Sequence, residues 1–257
     1  MHKVGQERFY IEYIKDKYIQ FKTTKHVVNI RGRRGKVLFF SRRAANNLRK
    51  HLYSLKNSKD DYVVTLTFPI DLDFLQFKKC LDIFKHALYR HKVLKHNYYV
   101  LKLEFTERGR PHFHVYIQNH SANYDDIVDF CQLWIDSVNK VLCLDRIIYY
   151  NFLLAGTSIE KVGEDFANII KYFCHYVSSF QKGYQNRLPE DYSCSFVYKY
   201  CKENALFEEK NIVEVGKEFY FSFLQEVFNS IKVNFYSLNF LFFCNDKYFF
   251  EKYLLCT

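Results

Sequence analysis

The stretch from Tyr98 to Gln118 constrains the fold of this chain more strongly than any other part of the sequence. Two apolar runs flank Arg108-Gly109-Arg110-Pro111, a turn sequence of the kind that joins paired antiparallel strands. Alternate residues of a strand point to the same face, so His112 and His114 share one face of the second strand. A hairpin centred near the glycine would place Glu104 opposite His114. The pattern therefore predicts one carboxylate and two imidazoles on a single surface.

Such a surface suits a divalent metal ion. Glu104, His112 and His114 would supply one oxygen and two nitrogens, a ligand set that divalent ions of the first transition row accept. Three protein ligands leave coordination positions open for a substrate, as in catalytic rather than structural metal sites. We therefore expect Mg²⁺ or Mn²⁺, with the imidazoles favouring Mn²⁺ somewhat. Two histidines on a strand face also occur as simple hydrogen-bonding residues, so the pattern alone leaves both interpretations open.

The positive charge of the chain is concentrated towards its N-terminal end. The formal net charge is +10, and residues 1–57 hold 15 Lys and Arg against 3 Asp and Glu. This predicts a polyanionic partner, with nucleic acid the first candidate, a charged membrane surface the second, and a merely soluble basic face the ordinary alternative. The residues that we expect to contact DNA phosphates are Arg31, Arg33, Arg34, Arg42, Arg43, Arg49, Lys50, Arg108 and Arg110.

Periodicity along the chain predicts an α+β fold, in which helices pack on an antiparallel sheet. Alternating apolar residues indicate strands, and apolar residues three or four positions apart indicate helices. Besides the hairpin over residues 98–118, the predicted elements are a hairpin over 26–40, helices over 41–55, 74–91, 124–138 and 164–180, and strands over 61–69 and 142–152.

Composition divides the chain into three segments. Residues 1–60 form the basic hairpin and helix, residues 61–184 carry the candidate metal ligands, and residues 185–257 form an aromatic-rich appendage of unknown role. Within the appendage, residues 203–257 hold 8 Asp and Glu against 5 Lys and Arg. The sequence does not decide whether this segment is a packing, oligomer or partner surface, and it does not reveal the oligomeric state.

The predicted helix over residues 164–180 presents two different stripes. At about 100° per residue, Ile170 and Phe173 fall on an apolar stripe, which predicts their burial. Tyr172 falls on a polar stripe turned away from it, and Tyr176 lies between the two. In a chain with 22 tyrosines, two that merely pack or cap would be the ordinary interpretation of this pattern.

Several of these patterns resemble motifs of one enzyme superfamily. Pro-His-Phe-His-Val at 111–115 resembles the metal motif of the HUH endonucleases, most closely that of the rolling-circle replication initiators of small single-stranded-DNA phages and plasmids. Tyr172-Phe-Cys-His175-Tyr176 resembles their Tyr-x-x-Lys-Tyr nucleophile motif, and the strand over 61–69 resembles their first motif, which supports the site. The resemblance covers about residues 26–184 and implies a ferredoxin-like HUH core.

The resemblance also implies a role for each residue of the nucleophile motif. Tyr172 would be the nucleophile, and Tyr176 a second nucleophile or a helper. His175 stands where the family has lysine, and it would assist deprotonation of the phenol with a group that titrates near neutral pH. Lys171 also permits a slipped register in which Asn168 takes the first tyrosine position. Both registers retain Tyr172.

From these roles we expect a metal-dependent DNA endonuclease and strand transferase. It would nick single-stranded DNA at a replication origin, form a 5′-phosphotyrosine link and later rejoin the strand, as in rolling-circle replication. Two alternatives stay open. One is an HUH transposase or mobilisation relaxase, and the other is a non-catalytic module that binds single-stranded nucleic acid by stacking and phosphate contacts.

The remaining sequence bears on partners and compartment. No phosphate-binding loop of the G-x-x-x-x-G-K type is present, so we expect a helicase and a polymerase to come from the host. The eight cysteines include no C-x-x-C pair, no leader opens the sequence, and no apolar run reaches about 18 residues. We therefore expect no membrane partner and a reducing compartment, either cytoplasm or an organelle matrix, rather than secretion.

Overall fold

The computed structural model describes residues 7–15, 17–24, 36–119, 123–164, 166–175, 183–200, 202–231 and 241–243, without the side chains of residues 202, 230, 231 and 242. The chain divides into two compact units: residues 34–206, and residues 1–33 together with 207–257. In chain order, the strands and helices are β1 (Phe9–Ile14), β2 (Tyr18–Thr23), α1 (Arg42–Ser54), β3 (Tyr62–Leu66), α2 (Phe74–His91), β4 (Tyr98–Phe105), β5 (Pro111–Gln118), α3 (Tyr124–Leu142), α4 (Arg146–Ala155), β6 (Thr157–Lys161), α5 (Phe166–Phe173), β7 (Val197–Tyr200), β8 (Asn211–Val215), α6 (Lys217–Ile231) and β9 (Leu241–Phe243).

The unit of residues 34–206 is built on a five-stranded antiparallel sheet. Its strand order is β6-β3-β5-β4-β7, so the hairpin of β4 and β5 lies inside the sheet. Every residue of β4 is buried, which accounts for its nearly continuous apolar run. An antiparallel sheet with helices packed on it confirms the predicted α+β fold.

One face of this sheet is covered by α2 and α3. Phe113 of β5 packs against Phe77 of α2 and Trp134 of α3, with ring centroids 5.8 and 5.7 Å apart. Trp134 is fully buried and donates its indole N–H to the carbonyl oxygen of Thr67 at 2.8 Å. Because the side chains of a strand alternate, the even-numbered residues of β5 point to the opposite face.

The helices α1 and α5 lie on that opposite face. The ring of His51 on α1 lies 5.6 Å from the ring of Tyr98 on β4. The ring of Tyr172 on α5 lies 4.9 Å from the ring of His114 on β5. Both strand residues belong to the even-numbered set. The face that carries the candidate metal ligands is therefore bordered by two helices.

Four of the predicted helices occur, three of them close to their expected bounds. They are α1, α2 and α3, and each begins after a residue whose side chain caps the first turn: Ser41, Asp73 and Asn123. The fourth, α5, covers residues 166–173 of the predicted 164–180, and residues 176–182 lie outside the described part of the chain.

The prediction of a strand over residues 142–152 is wrong, because most of this segment forms the helix α4. Asp145 caps the helix by accepting hydrogen bonds from the backbone N–H groups of Ile147 and Ile148 at 2.9 and 3.0 Å. A continuous apolar run is compatible with a buried strand and with a helix, so periodicity alone could not decide. The strand in this region is the next element, β6.

The unit formed by the two ends of the chain has its own antiparallel sheet, with strand order β8-β1-β2-β9. The helix α6 packs on this sheet. The apolar side chains of the cluster are Phe9, Ile11, Ile19, Phe21, Tyr220, Phe223, Leu224, Val227 and Phe228.

This division differs from the boundaries expected at residues 60 and 184. The helix α1 and the strand β7 belong to the unit of residues 34–206, and strands from both ends of the chain pair in the other unit. Pairing between distant segments depends on ladder hydrogen bonds, which local composition does not reveal. Most of the hairpin expected over residues 26–40 lies outside the described residues.

Within the described residues, no helix is both long enough and apolar enough to cross a lipid bilayer.

Candidate active site

The hairpin of β4 and β5 carries the predicted metal ligands in a register that differs from the expected one. Glu104 pairs with His112, and Lys102 pairs with His114, so the prediction that Glu104 faces His114 is wrong by two residues. A shift of two residues preserves the faces of both strands. The carboxylate and the two imidazoles therefore still share one surface.

The shorter register follows from the turn. The backbone N–H of Thr106 donates to the carbonyl oxygen of Arg110 at 2.8 Å, and that of Gly109 donates to the carbonyl oxygen of Thr106 at 2.9 Å. Gly109 has φ +81°, a conformation that favours glycine. The turn is thus closed by Thr106 and Arg110, and β5 already begins at Pro111.

Glu104, His112 and His114 form a compact triad. Oε2 of Glu104 lies 3.8 Å from Nε2 of His112 and 3.5 Å from Nε2 of His114. One ligand atom from each of the three residues lies within 4.8 Å of the others. The three side chains are nearly buried, so they are held at short range without being fully exposed to water.

The two oxygens of Glu104 have different surroundings. Oε1 accepts a hydrogen bond from the ammonium group of Lys102, which is fully buried. Oε2 is buried, and no group among the described residues forms a hydrogen bond with it. Burial by itself would raise the pKa of Glu104, but His114 and Lys102 lower that pKa to about 2. The site therefore contains an ionised carboxylate with one oxygen left for a further partner.

The histidines are suited to bind a cation through neutral nitrogens. Burial, reinforced by the neighbouring His114, lowers the pKa of His112 to about 4. Nδ1 of His114 lies 3.3 Å from the hydroxyl oxygen of Thr65, the residue opposite His114 on β3. A proton on Nδ1 would be donated to Thr65 and would leave Nε2 of His114 unprotonated on the side of Glu104.

Tyr172 reaches this triad from α5. Its hydroxyl lies 2.9 Å from Nε2 of His114, while 46% of the residue stays exposed. Ile170 and Phe173 on the same helix are buried, as the predicted apolar stripe requires, and they hold α5 in place. Burial, together with the charges of Glu104 and Glu160, raises the pKa of Tyr172 to about 12. The phenol therefore needs help to ionise at neutral pH.

The other two predicted catalytic residues are placed differently. His175 is exposed, and its contact with the site runs through its backbone, because its carbonyl oxygen lies 3.4 Å from the ammonium nitrogen of Lys102. Tyr176 lies outside the described residues. The slipped register also keeps Tyr172, whose hydroxyl is the one that lies beside His114.

Lys102 is a site residue that the sequence reasoning missed. Its ammonium group donates to Glu104, lies 4.9 Å from the ring centroid of Phe40, and reaches the carbonyl oxygen of His175 at the end of α5. Burial lowers the pKa of Lys102, and Glu104 partly opposes this effect. The signal was available, because Lys102 precedes Glu104 by two residues and must share its face.

The residues predicted to contact DNA occupy several settings. Arg42 and Arg43 are exposed in the first turn of α1, and Arg108 is exposed in the hairpin turn. Arg110 instead forms an ion pair with Asp71 at 3.0 Å, which anchors the turn to the loop after β3.

The remaining cations of α1 lie deeper. Arg49 and Lys50 are half-buried. Arg49 lies close enough to Cys174 to lower the pKa of that thiol, although burial raises it overall to about 11. Arg49 thus lies near the end of α5. Arg31, Arg33 and Arg34 lie outside the described residues.

The donor atoms of the triad fit a divalent cation. Glu104 offers an ionised oxygen that lacks a hydrogen-bond partner among the described residues, and the two imidazoles offer neutral nitrogens. Such a mixture of oxygen and nitrogen ligands suits ions such as Mn²⁺ and Mg²⁺. The arrangement is therefore a candidate metal centre with a phenol beside it.

Comparison with known proteins places the chain in a family. No curated protein matches it significantly. One solved structure, the N-terminal nuclease domain of non-structural protein 1 of minute virus of mice, is 10% identical over 86% of this chain and 77% of that chain, with a TM-score of 0.18. The family model of the replication-associated protein ORF2/gene 2 protein matches residues 61–204, more than half of the 257 residues. The chain therefore belongs to this family of replication-associated proteins, which confirms the resemblance to rolling-circle replication initiators.

Proposed function

We propose that this replication-associated protein nicks single-stranded DNA at an origin by attack of Tyr172, forms a 5′-phosphotyrosine link and later rejoins the strand. The observation that carries the proposal is the position of the Tyr172 hydroxyl, 2.9 Å from Nε2 of His114 and beside the carboxylate of Glu104. A partly exposed phenol at a candidate metal centre combines a nucleophile with access for a large substrate.

In this proposal, Glu104, His112 and His114 hold the metal ion. When bound, the ion supplies positive charge that offsets the charge of the phosphodiester and the charge that develops during transfer. The two imidazoles favour Mn²⁺ over Mg²⁺. Thr65 keeps Nε2 of His114 unprotonated, and Lys102 holds Oε1 of Glu104 so that Oε2 faces the imidazoles.

The chain's own residues perform the transfer. The phenol oxygen of Tyr172 forms a bond to phosphorus, and the bond from phosphorus to the 3′-oxygen breaks. His175, on the residue after α5, accepts the phenol proton, and the departing 3′-oxygen takes a proton from water. Attack by the resulting 3′-hydroxyl on the phosphotyrosine reverses the reaction and rejoins the strand. Tyr176 would serve a second transfer.

The wider role follows from the products. A free 3′-hydroxyl can prime DNA synthesis, so we propose that a host polymerase extends it and that a host helicase opens the duplex. A transposase or relaxase would use the same chemistry, but the family match is to a replication-associated protein, which favours replication. The exposed cations Arg42, Arg43 and Arg108 would contact DNA phosphates.

The decisive experiment is capture of the covalent adduct. The protein is incubated with Mn²⁺ and a pool of end-labelled single-stranded oligonucleotides of randomised sequence, and adducts are resolved on a denaturing gel. We expect Tyr172→Phe to abolish the adduct, because the variant lacks the attacking oxygen. Tyr150→Phe, which removes an exposed phenol from α4, should retain it. An adduct that persists in Tyr172→Phe would place the nucleophile at Tyr176 or elsewhere.

A further inference from the structure

A second pocket lies on the face of the sheet opposite the triad. It has a volume of about 610 Å³ and is bordered by the end of α2 and by the edge strand β7. Tyr99 of β4 and Tyr200 of β7 form part of its lining and pair directly in the ladder. Tyr99 is an odd-numbered residue of β4 and packs on Phe130 of α3, whereas Glu104 points the other way. The pocket is thus separate from the candidate metal centre.

The floor of this pocket is apolar and aromatic. The rings of Tyr99 and Tyr200 lie 5.3 Å apart at an angle of 31°, and the buried side chain of Leu88 lies beside them. The hydroxyl of Tyr200 is buried, and it forms no hydrogen bond with any described residue. Since buried hydroxyl groups normally have a partner, this one marks a place where a ligand atom could complete the site.

The rim of the pocket is strongly basic. Its cationic residues are Lys85, Arg90, Lys92 and Lys95, and Glu203 is the carboxylate among the described lining residues. Lys85 pairs with Asp82 at 3.4 Å and lies 5.8 Å from the centre of the Tyr200 ring. The C-terminal end of α2 accounts for a cation at Arg90, but not for Lys95, which follows the helix. Several like charges around one concavity favour an anionic ligand.

We infer that this pocket binds a nucleotide. A planar base would lie on the aromatic floor, as bases do on aromatic side chains, and the phosphate would meet the cations of the rim. The volume falls within the range of about 300–1,000 Å³ that is usual for small-molecule sites. A free nucleotide and a nucleotide within a single strand present the same chemistry. The inference does not depend on nicking by Tyr172, because the pocket lies on the other face of the sheet.

The test is calorimetric titration of the full chain in EDTA, which keeps metal ions out of the triad. The ligands are deoxyadenosine 5′-monophosphate, deoxyadenosine, inorganic phosphate and a deoxyadenosine pentanucleotide. We expect the mononucleotide to bind more tightly than either of its parts, and more weakly as salt is raised. Binding of the pentanucleotide alone, lost in the rim variant described next, would assign the pocket to a strand rather than to a free nucleotide.

Variants locate the binding. Replacing Arg90, Lys92 and Lys95 together by Gln should weaken the bound nucleotide at least about tenfold, because the three cations are exposed at the rim. The matched control is Lys78→Gln with Lys79→Gln, which removes exposed charge from the same helix away from the pocket and should leave binding unchanged. Equal binding by both variants, or no binding of any ligand by the unmodified chain, would overturn the inference.

Two further variants separate this site from folding and from the proposed function. Tyr200→Phe removes only the hydroxyl and should weaken the mononucleotide a few-fold without lowering the melting temperature. His112→Ala with His114→Ala should leave nucleotide binding in EDTA intact, whatever it does to the covalent adduct. A pocket that fails while the adduct forms, or the reverse, thus identifies which of the two proposals is wrong.

Discussion

Glu104 shows how one side chain can be held in place and still be available to a ligand. Its Oε1 is occupied by Lys102, and its Oε2 faces two imidazoles without a hydrogen-bond partner among the described residues. Lys102 also reaches the end of α5 through the carbonyl oxygen of His175. One buried ammonium group therefore links the carboxylate of the candidate metal centre to the helix that carries Tyr172.

The buried pair of Lys102 and Glu104 predicts that Lys102→Met destabilises the protein by about 3–5 kcal/mol, because it leaves a buried carboxylate without its counter-charge. Mn²⁺ should restore part of the loss, since a cation at the triad would provide a new counter-charge. The free energy of unfolding in urea, measured in EDTA and in Mn²⁺, checks both expectations. Lys161→Met, which breaks an exposed pair with Asp60, should change it by less than about 1 kcal/mol. Similar losses in the two variants would contradict the prediction.

His112 predicts a loss of stability in mild acid. Folding lowers its pKa from 6.5 to about 4, so below pH 6.5 the unfolded chain takes up a proton that the folded chain does not. Stability should therefore fall as the pH drops from 6.5 towards 4, by about 2 kcal/mol between pH 7 and pH 5. The measurement is urea unfolding in EDTA at both pH values, for the unmodified chain and for His112→Gln. The difference between pH values should be smaller in the variant by that amount, and an equal difference would refute the assignment.

The elements show which parts of a sequence predict structure and which do not. The faces of β4 and β5 followed from alternation, so Glu104, His112 and His114 could be grouped before their register was known. The register itself depended on the turn, where hydrogen bonds between Thr106 and Arg110 closed the hairpin earlier than the position of Gly109 suggested. The helix α4 was mistaken for a strand because its apolar run has no clear period. Lys102 was overlooked because a buried lysine in a strand is uncommon.

The turn of the hairpin predicts a difference between two substitutions of one residue. Gly109 has φ +81°, so Gly109→Ala should lower the free energy of unfolding by about 1 kcal/mol, because a Cβ is strained in that conformation. No atom lies within 4 Å of a Cβ added there, so the backbone rather than crowding sets the cost. Gly109→Asn should lose less, since asparagine tolerates positive φ better than alanine. Thermal melting of both variants decides, and equal losses would argue against backbone strain.

At the scale of the whole chain, charge and chemistry are located in different segments. Residues 1–57 carry a surplus of positive charge, 15 Lys and Arg against 3 Asp and Glu, whereas the triad and Tyr172 come from residues 104–172. Nucleic-acid affinity depends on the number of phosphates neutralised by cations, and cleavage depends on the geometry of a few side chains. Binding and cleavage should therefore be separable by mutation.

The last prediction tests this separation. His112→Ala combined with His114→Ala should abolish metal-dependent cleavage and reduce the affinity for Mn²⁺ by at least about 100-fold, because two of the three ligands are lost. Single-stranded DNA binding in EDTA should keep both its affinity and its dependence on salt, since neither histidine contributes to the basic segment. The matched control, His86→Ala with His91→Ala, removes two exposed imidazoles from α2 and should preserve cleavage and binding alike. A parallel loss of DNA binding in the triad variant would mean that the two histidines hold the strand as well as the metal.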